Sequence, residues 1–169
     1  MKSLFQKYRE LIMYLIFGVL TTVIGFGTYT AIMLLAEHGL GVPMNDKTAP
    51  DYLAAYISAQ VIHWIVAVLF AFFTNRAWVF TGADRSAGSM PRQLLLFSGS
   101  RLISLLLDIV VTYGCIHLLS LWIDDAFPPT ILGFPLTAEI LAKILASVLV
   151  IIANYIFSKL LVFKKKQTN

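Results

Sequence analysis

Arg101 and Asp108 stand seven positions apart inside one long apolar stretch, and Glu139 and Lys143 stand four apart inside another. On helices, each pair shares a face. A charge within hydrocarbon costs at least about 2.5–3.5 kcal/mol on insertion scales, so each of these needs a partner or a task. Counting about 1.5 Å of rise per residue from the predicted span ends puts Asp108 and Lys143 at similar heights, roughly two-thirds of the way across. The two could form an ion pair that joins helices, or they could contact a polar substrate. Arg101 falls roughly 10 Å in from the opposite surface, where only the neutral Asn154 and Ser158 reach its level from another helix. A planar guanidinium there suits bidentate binding of phosphate. Its long side chain could equally snorkel to the interface. Glu139 is close enough to the outer surface to be solvated. Gln60 and His63, on a neighbouring apolar stretch, suit either a hydrogen bond between helices or a ligand contact.

The chain carries no sign of catalysis. No Gly-rich phosphate loop, HExxH or paired-Cys motif occurs, and Cys115 is alone, which excludes an intrachain disulfide and a cysteine metal cluster. No nucleophile stands with a base, and the intramembrane acids have cations near them. No catalytic residue, cofactor or metal ligand is assigned, and nucleic acid is not an expected partner.

These residues need elements that can hold them in lipid. Of 169 residues, 59% are hydrophobic and 13% charged, against roughly a quarter charged in a soluble domain. The expected architecture is all-α and integral to a membrane, one domain over residues 1–169. It has four spans near Leu11 to Ala36, Tyr52 to Thr74, Leu94 to Trp122 and Thr137 to Ser158. Each exceeds or approaches the roughly 20 residues that cross about 30 Å of hydrocarbon. The first follows Lys2, Lys7 and Arg9, as a secretory signal would, but such a signal's apolar region is only about 7–15 residues. Pro43, Pro50, Pro128, Pro129 and Pro135 break the two outer connections, and Gly82 to Pro91 forms a short polar inner loop.

Charge alternates between the connections. Lys2, Lys7, Arg9, Arg76, Arg85, Arg92, Lys159 and the run Lys164 to Lys166 fall on one side. Glu37, Asp46, Asp51, Asp124 and Asp125 fall on the other. By the positive-inside rule both termini are cytoplasmic, and Trp78 and Trp122 sit at span ends as interfacial aromatics. The two halves then read as helical hairpins that cross in the same direction, a parallel repeat.

A repeated segment supports that division. Phe72-Phe73-Thr74-Asn75-Arg76-Ala77-Trp78-Val79-Phe80 closes the second span, and Tyr155-Ile156-Phe157-Ser158-Lys159-Leu160-Leu161-Val162-Phe163 closes the fourth. Sliding one hairpin onto the other places Lys143 over Gln60, Glu139 over Tyr56 and Arg101 over Thr21. Charges thus gather in the second hairpin and neutral polar groups in the first. In the first span Gly18, Gly25 and Gly27, with Thr21 and Thr22, form a small-residue stripe that suits close helix packing or a groove for a lipid tail. Arg76 and Lys159 are either interfacial anchors or attractors of an anionic headgroup, each worth about 1 kcal/mol near a charged surface.

In Tyr14-Leu15-Ile16-Phe17-Gly18-Val19 and the Thr-rich segment after it, in Asn75-Arg76-Ala77-Trp78-Val79-Phe80, and in Asn154-Tyr155 followed by Val162-Phe163, the chain resembles the GtrA-like family of small four-span proteins of cell-surface polysaccharide synthesis. The family's Asn one turn before the first Asn-Arg pair is here Ala71. In the second copy Asn154 keeps that position, while Ser158 and Lys159 replace the Asn-Arg pair.

The resemblance implies a location in the bacterial cytoplasmic membrane and movement of a polyprenyl-phosphate-linked monosaccharide from the cytoplasmic to the outer leaflet. Membrane lipids and a glycosyltransferase are the implied partners, and four helices enclose so little volume that a homo-oligomer fits too. In such a scheme Arg76 and Lys159 gather the carrier, Arg101 with Asn75 and Asn154 receives its phosphate, and Asp108, Lys143, Gln60 and Glu139 line a polar path or, for the charged pair, hold helices together. Two other functions compete with it. One is a membrane anchor that recruits a polyprenyl-phosphate glycosyltransferase through the basic loop and tail. The other is a small proton-coupled cation exporter using Asp108 or Glu139.

Overall fold

A computed structural model of the chain describes residues 2–123, 130–131, 134–135 and 137–163, and the side chains of 8–123, 130 and 137–163 among them. Asp124, Asp125, Pro128, Pro129 and Lys164 to Lys166, with the side chains of Lys2 and Lys7, lie outside the described residues. Four long helices follow in order: α1 (Lys2–Leu40), α2 (Pro50–Thr74), α3 (Met90–Leu119) and α4 (Ala138–Phe157). Between α3 and α4, Thr130–Ile131 and Phe134–Pro135 pair as a two-residue antiparallel ladder that the apolar pattern did not signal.

All four helices are long and apolar enough to cross a membrane. The shortest candidate span, Ala138–Val162, has 25 residues and so a length of about 37 Å. In lipid each backbone N–H and C=O must be satisfied within the segment, which is why uninterrupted apolar sequence of this length becomes helix. α1 outruns the expected 11–36 at both ends, because nothing breaks it before Gly41. That glycine adopts φ +68° and lets Val42 N–H close on the Ala36 carbonyl at 3.0 Å. Asp46 then caps the following turn. Its carboxylate accepts from the Thr48 hydroxyl and backbone N–H, and those bonds hold its pKa below the usual value. Pro50 and Asp51 open α2, suiting a first turn with free N–H groups and a positive dipole end. α3 stops at Leu119, short of the expected Trp122, which stands exposed in the turn beyond it.

The chain divides into two compact units, Met1–Ala83 and Asp84–Asn169, each a helical hairpin. In the first, α1 and α2 run antiparallel. Tyr14 meets Phe80, Phe17 stacks on Trp78 at 5.4 Å, and Tyr29 meets His63 and Tyr56. In the second, Phe97 of α3 meets Phe163 beyond α4, while Ala138, Ala142 and Ala146 of α4 are buried to within 1%. Alanine at every fourth position lets the α3 and α4 backbones approach closely.

Both hairpins end the same way. α2 passes into a π turn at Asn75–Val79, and α4 into a π turn at Ser158–Val162. Phe80 N–H then closes on the Asn75 carbonyl at 2.8 Å, and Phe163 N–H on the Ser158 carbonyl at 2.8 Å. Residues 14 and 97, and residues 80 and 163, form matching ring pairs and are each 83 positions apart. That offset aligns Lys143 with Gln60 and Glu139 with Tyr56. It corrects the third pairing: Arg101 aligns with Gly18, and Thr21 aligns with Ser104.

The glycine stripe of α1 is also corrected. Of its three glycines only Gly25 is packed, and a Cβ there would lie 3.4 Å from Ala67 and 3.5 Å from His63 Nδ1. Gly18 and Gly27 have open space where a Cβ would stand, and Thr21 and Thr22 donate to carbonyls of their own helix. Among these three glycines close approach is therefore a single point, not a stripe.

A candidate headgroup path in the second hairpin

Phe97, Arg101, Ser104 and Asp108 recur along α3 at spacings of four, three and four, which keeps them on one face. Two of the polar groups among them, Ser104 and Asp108, meet α4 at successive heights. Lowest on α3, the Arg101 guanidinium lies 4.6 Å from the centroid of the buried Phe97 ring. A helical side chain points back toward the N-terminus, which brings the guanidinium over a residue one turn earlier. The ring offers a cation–π contact of about 0.5–2 kcal/mol, so Arg101 is held rather than hanging in the apolar region.

One turn further, the buried Ser104 hydroxyl donates to Asn154 Oδ1 of α4 at 2.7 Å. The same hydroxyl lies 2.8 Å from the Ser100 carbonyl. It has one proton, so both contacts are satisfied together when the Asn154 amide is turned over to present its NH2 to Ser104. Above that, Lys143 Nζ of α4 sits 2.5 Å from Asp108 Oδ2. The Asp108 side chain is 21% exposed and that of Lys143 58%. From Arg101 to Asp108 the ladder climbs about 10 Å. Thr112, one turn beyond Asp108, has a buried hydroxyl oxygen with no hydrogen-bond partner.

The remaining expected residues lie off this ladder. Glu139 is exposed in the first turn of α4, beside the Thr137 hydroxyl that accepts from Ile140 N–H at 3.3 Å. An acid there complements the helix dipole. Lys159 is exposed on the π turn, its ammonium donating to the Tyr155 hydroxyl at 3.1 Å. Arg76 is half-buried on the matching turn of the first hairpin, where Arg9 donates to the Trp78 carbonyl at 3.3 Å.

Two expected roles change. Asn75 is 4% exposed, and its NH2 donates to the Ala71 carbonyl at 2.7 Å, leaving a buried Oδ1 without a partner. Its free atom is an acceptor, which suits a hydroxyl donor and not a phosphate. Ser158, its counterpart, likewise buries an oxygen without a partner. The bond between helices expected of Gln60 or His63 is replaced by a bond within α2, from Gln60 Nε2 to the Tyr56 hydroxyl at 2.9 Å, and by ring packing of His63 on Tyr29. Ser104 was missed by the sequence reading, although its position between Arg101 and Asp108 on one helix face was a usable signal. Among the described residues no three His, Cys, Asp or Glu side chains come close enough to hold a metal ion.

The family model for the GtrA/DPMS transmembrane domain matches residues 13–163. The chain belongs to this family. The whole α3–α4 ladder of this GtrA/DPMS member falls inside the matched region, as does the first hairpin from Met13 onward. The chain is 33% identical over 153 residues to the uncharacterized membrane protein YwcD of Bacillus subtilis, covering 90% of this chain and 95% of that one. It is 29% identical over 162 residues to the cell wall teichoic acid glycosylation protein GtcA of Listeria monocytogenes serovar 1/2a, covering 96% and 90%. GtcA of Listeria innocua gives the same identity and coverage. No solved structure matches. Four spanning helices and a transmembrane-domain family make the chain a multi-pass membrane protein.

Proposed function

We propose that the protein serves cell-surface glycosylation by moving a polyprenyl-phosphate-linked monosaccharide across the cytoplasmic membrane, from the inner to the outer leaflet, as a carrier and not an enzyme. Both termini face the cytoplasm in this reading, and the two hairpins act as parallel repeats. The observation that carries it is the polar ladder of the second hairpin, Arg101, Ser104 with Asn154, and Asp108 with Lys143, rising through an otherwise apolar span. The family match and the relatives named for teichoic acid glycosylation support the same direction.

The obstacle to such a carrier is its headgroup, since each sugar hydroxyl or phosphate oxygen left without a partner in hydrocarbon costs several kcal/mol. The ladder offers substitutes in order. Lys159 and Arg76 draw the carrier to the inner surface, and Arg101 binds its phosphodiester. The Asn154 amide and the Asp108–Lys143 pair then take over further out, while the polyprenyl tail stays in lipid. An ion pair with a half-exposed ammonium can open to a passing phosphate and close behind it.

Reconstitution in liposomes tests this. A fluorescent short-chain polyprenyl-phosphate glucose is incorporated, and its arrival in the far leaflet is read by quenching with an impermeant reductant. The wild type is expected to exceed empty liposomes clearly, and Arg101→Ala to slow the rate at least tenfold. Equal rates for Arg101→Ala and wild type would remove Arg101 from the mechanism. No transport by any form, together with co-purification of a glycosyltransferase, would replace translocation with recruitment.

A further inference from the structure

The first hairpin holds a cluster that the ladder does not use. Tyr29 of α1 packs edge-on against both Tyr56 and His63 of α2, with ring centroids 6.2 Å and 6.1 Å away. Tyr52 lies nearly parallel to Tyr56 at 6.2 Å, with 13° between the ring planes. Gln60 Nε2 donates to the Tyr56 hydroxyl at 2.9 Å, and His63 Nδ1 is buried with no hydrogen-bond partner. Gly25 faces that imidazole, where an added Cβ would stand in ordinary contact at 3.5 Å from the same nitrogen.

Helix packing alone does not account for these rings, because the second hairpin serves as an internal comparison. At the offset of 83, its residues matching Tyr29, Tyr52, Tyr56, Gln60 and His63 are Thr112, Pro135, Glu139, Lys143 and Ala146. That hairpin closes on Ala142 and Ala146, both fully buried, with no aromatic ring at any of the five places. The first hairpin keeps the same architecture and spends four rings and an amide where small or charged residues suffice. It also contains no Lys, Arg, Asp or Glu among the five, so an isolated phosphate would find no counter-charge there.

We propose that the Tyr29–Tyr52–Tyr56–Gln60–His63 cluster binds the neutral, polyhydroxylated ring of the monosaccharide headgroup. Tyr faces offer a flat apolar surface for the C–H face of a pyranose. The tyrosine hydroxyls and the Gln60 amide each donate and accept, a set that matches sugar hydroxyls, and His63 packs edge-on against Tyr29 within the hairpin. Sites for such ligands combine aromatic walls with a few placed polar groups, as here. The assignment rests on the carrier reading above.

The test uses the full chain in lipid nanodiscs and three soluble-tailed diesters: nerylphosphoryl-glucose, nerylphosphoryl-N-acetylglucosamine, and methyl neryl phosphate, which keeps the diester charge but has no sugar. Wild type is expected to bind at least one glycosylated probe about fivefold or more tighter than the methyl diester, the effect of one or two net hydrogen bonds. Tyr56→Phe, which keeps the ring, and Tyr52→Leu are expected to bring that ratio close to one without changing affinity for the methyl diester. A wild-type ratio of one for both sugars overturns the inference, as does a ratio that survives both substitutions. If sugar discrimination behaves as expected while liposome transport is absent, the sugar site stands and translocation falls. If transport is present and discrimination is not, only the sugar site falls.

Discussion

Separating the Asp108–Lys143 pair asks whether it only joins helices or also serves passage. Breaking a fully buried pair by removing one partner costs about 3–5 kcal/mol, whereas an exposed pair contributes about 0–1 kcal/mol. Asp108 is 21% exposed and Lys143 58%, so the pair falls between these limits and about 2–3 kcal/mol is expected. The two single variants should differ. After Asp108→Leu the orphaned lysine can run its four-carbon stem toward an interface. After Lys143→Met the short carboxylate cannot, so Lys143→Met is the more damaging, by roughly 1 kcal/mol. The double variant Asp108→Leu/Lys143→Met carries no charge and keeps similar volume, and is expected within about 1 kcal/mol of wild type. Unfolding titrations with sodium dodecyl sulfate in mixed micelles measure all four proteins, and single losses of about 2 and 3 kcal/mol with a double loss of about 1 kcal/mol give a non-additivity of about 4 kcal/mol, much of it the cost of the charge each single variant leaves unpaired. Single-variant losses that simply add in the double variant would refute the reasoning, because the contact would then carry no energy. With stability restored, liposome transport gives the second answer. A polar path predicts a double variant that folds but transports at least tenfold more slowly. Wild-type transport would confine the pair to structure.

Three further outcomes follow from the geometry. Arg101→Lys, read by the liposome assay, is expected to recover only part of the transport lost in Arg101→Ala, since an ammonium can neither clasp a phosphate with two parallel bonds nor spread over the Phe97 ring. Ser104→Ala leaves the Asn154 amide without its α3 partner and should cost about 1 kcal/mol of stability in micelles, and an unchanged unfolding midpoint would mean that this bond contributes nothing. Gly25→Ala should be tolerated, its Cβ reaching ordinary contact at 3.4 Å, whereas Gly25→Leu should lower the unfolding midpoint and disturb sugar discrimination, while Gly18→Ala, with open space, leaves both unchanged.

The sequence made some of this legible and hid the rest for physical reasons. Long apolar runs can only be helices in lipid, so the four spans were readable within a few residues, and a uniform rise placed Asp108 and Lys143 at one height before any contact was known. Which face of each helix packs was not readable. In a soluble helix, apolar residues mark the core, but here Val19, Phe26, Leu95 and Val110 point outward at 65–75% exposure while Ala142, Ser104 and Asn154 are buried. Lipid is as apolar as leucine, so hydropathy carries no inside-outside pattern, and small and weakly polar residues take the packed positions. For the same reason the glycine stripe misled, since only Gly25 meets a neighbouring helix. The π turns were hidden because one residue's change in hydrogen-bond register, Phe80 to Asn75 and Phe163 to Ser158, leaves no trace in composition.

The repeated segment at the ends of α2 and α4 thus preserves backbone geometry more faithfully than side chains. Both copies keep the π turn, the closing Phe and its ring partner one hairpin arm away, and both keep a buried oxygen without a partner at Asn75 and Ser158. Higher in the hairpins the copies part. Gly25 and His63 in the first stand where Asp108 and Ala146 stand in the second, and Gln60 where Lys143 stands. The frame is thus shared while the middles differ in chemistry, neutral at Gly25, Gln60 and His63 and charged at Asp108 and Lys143.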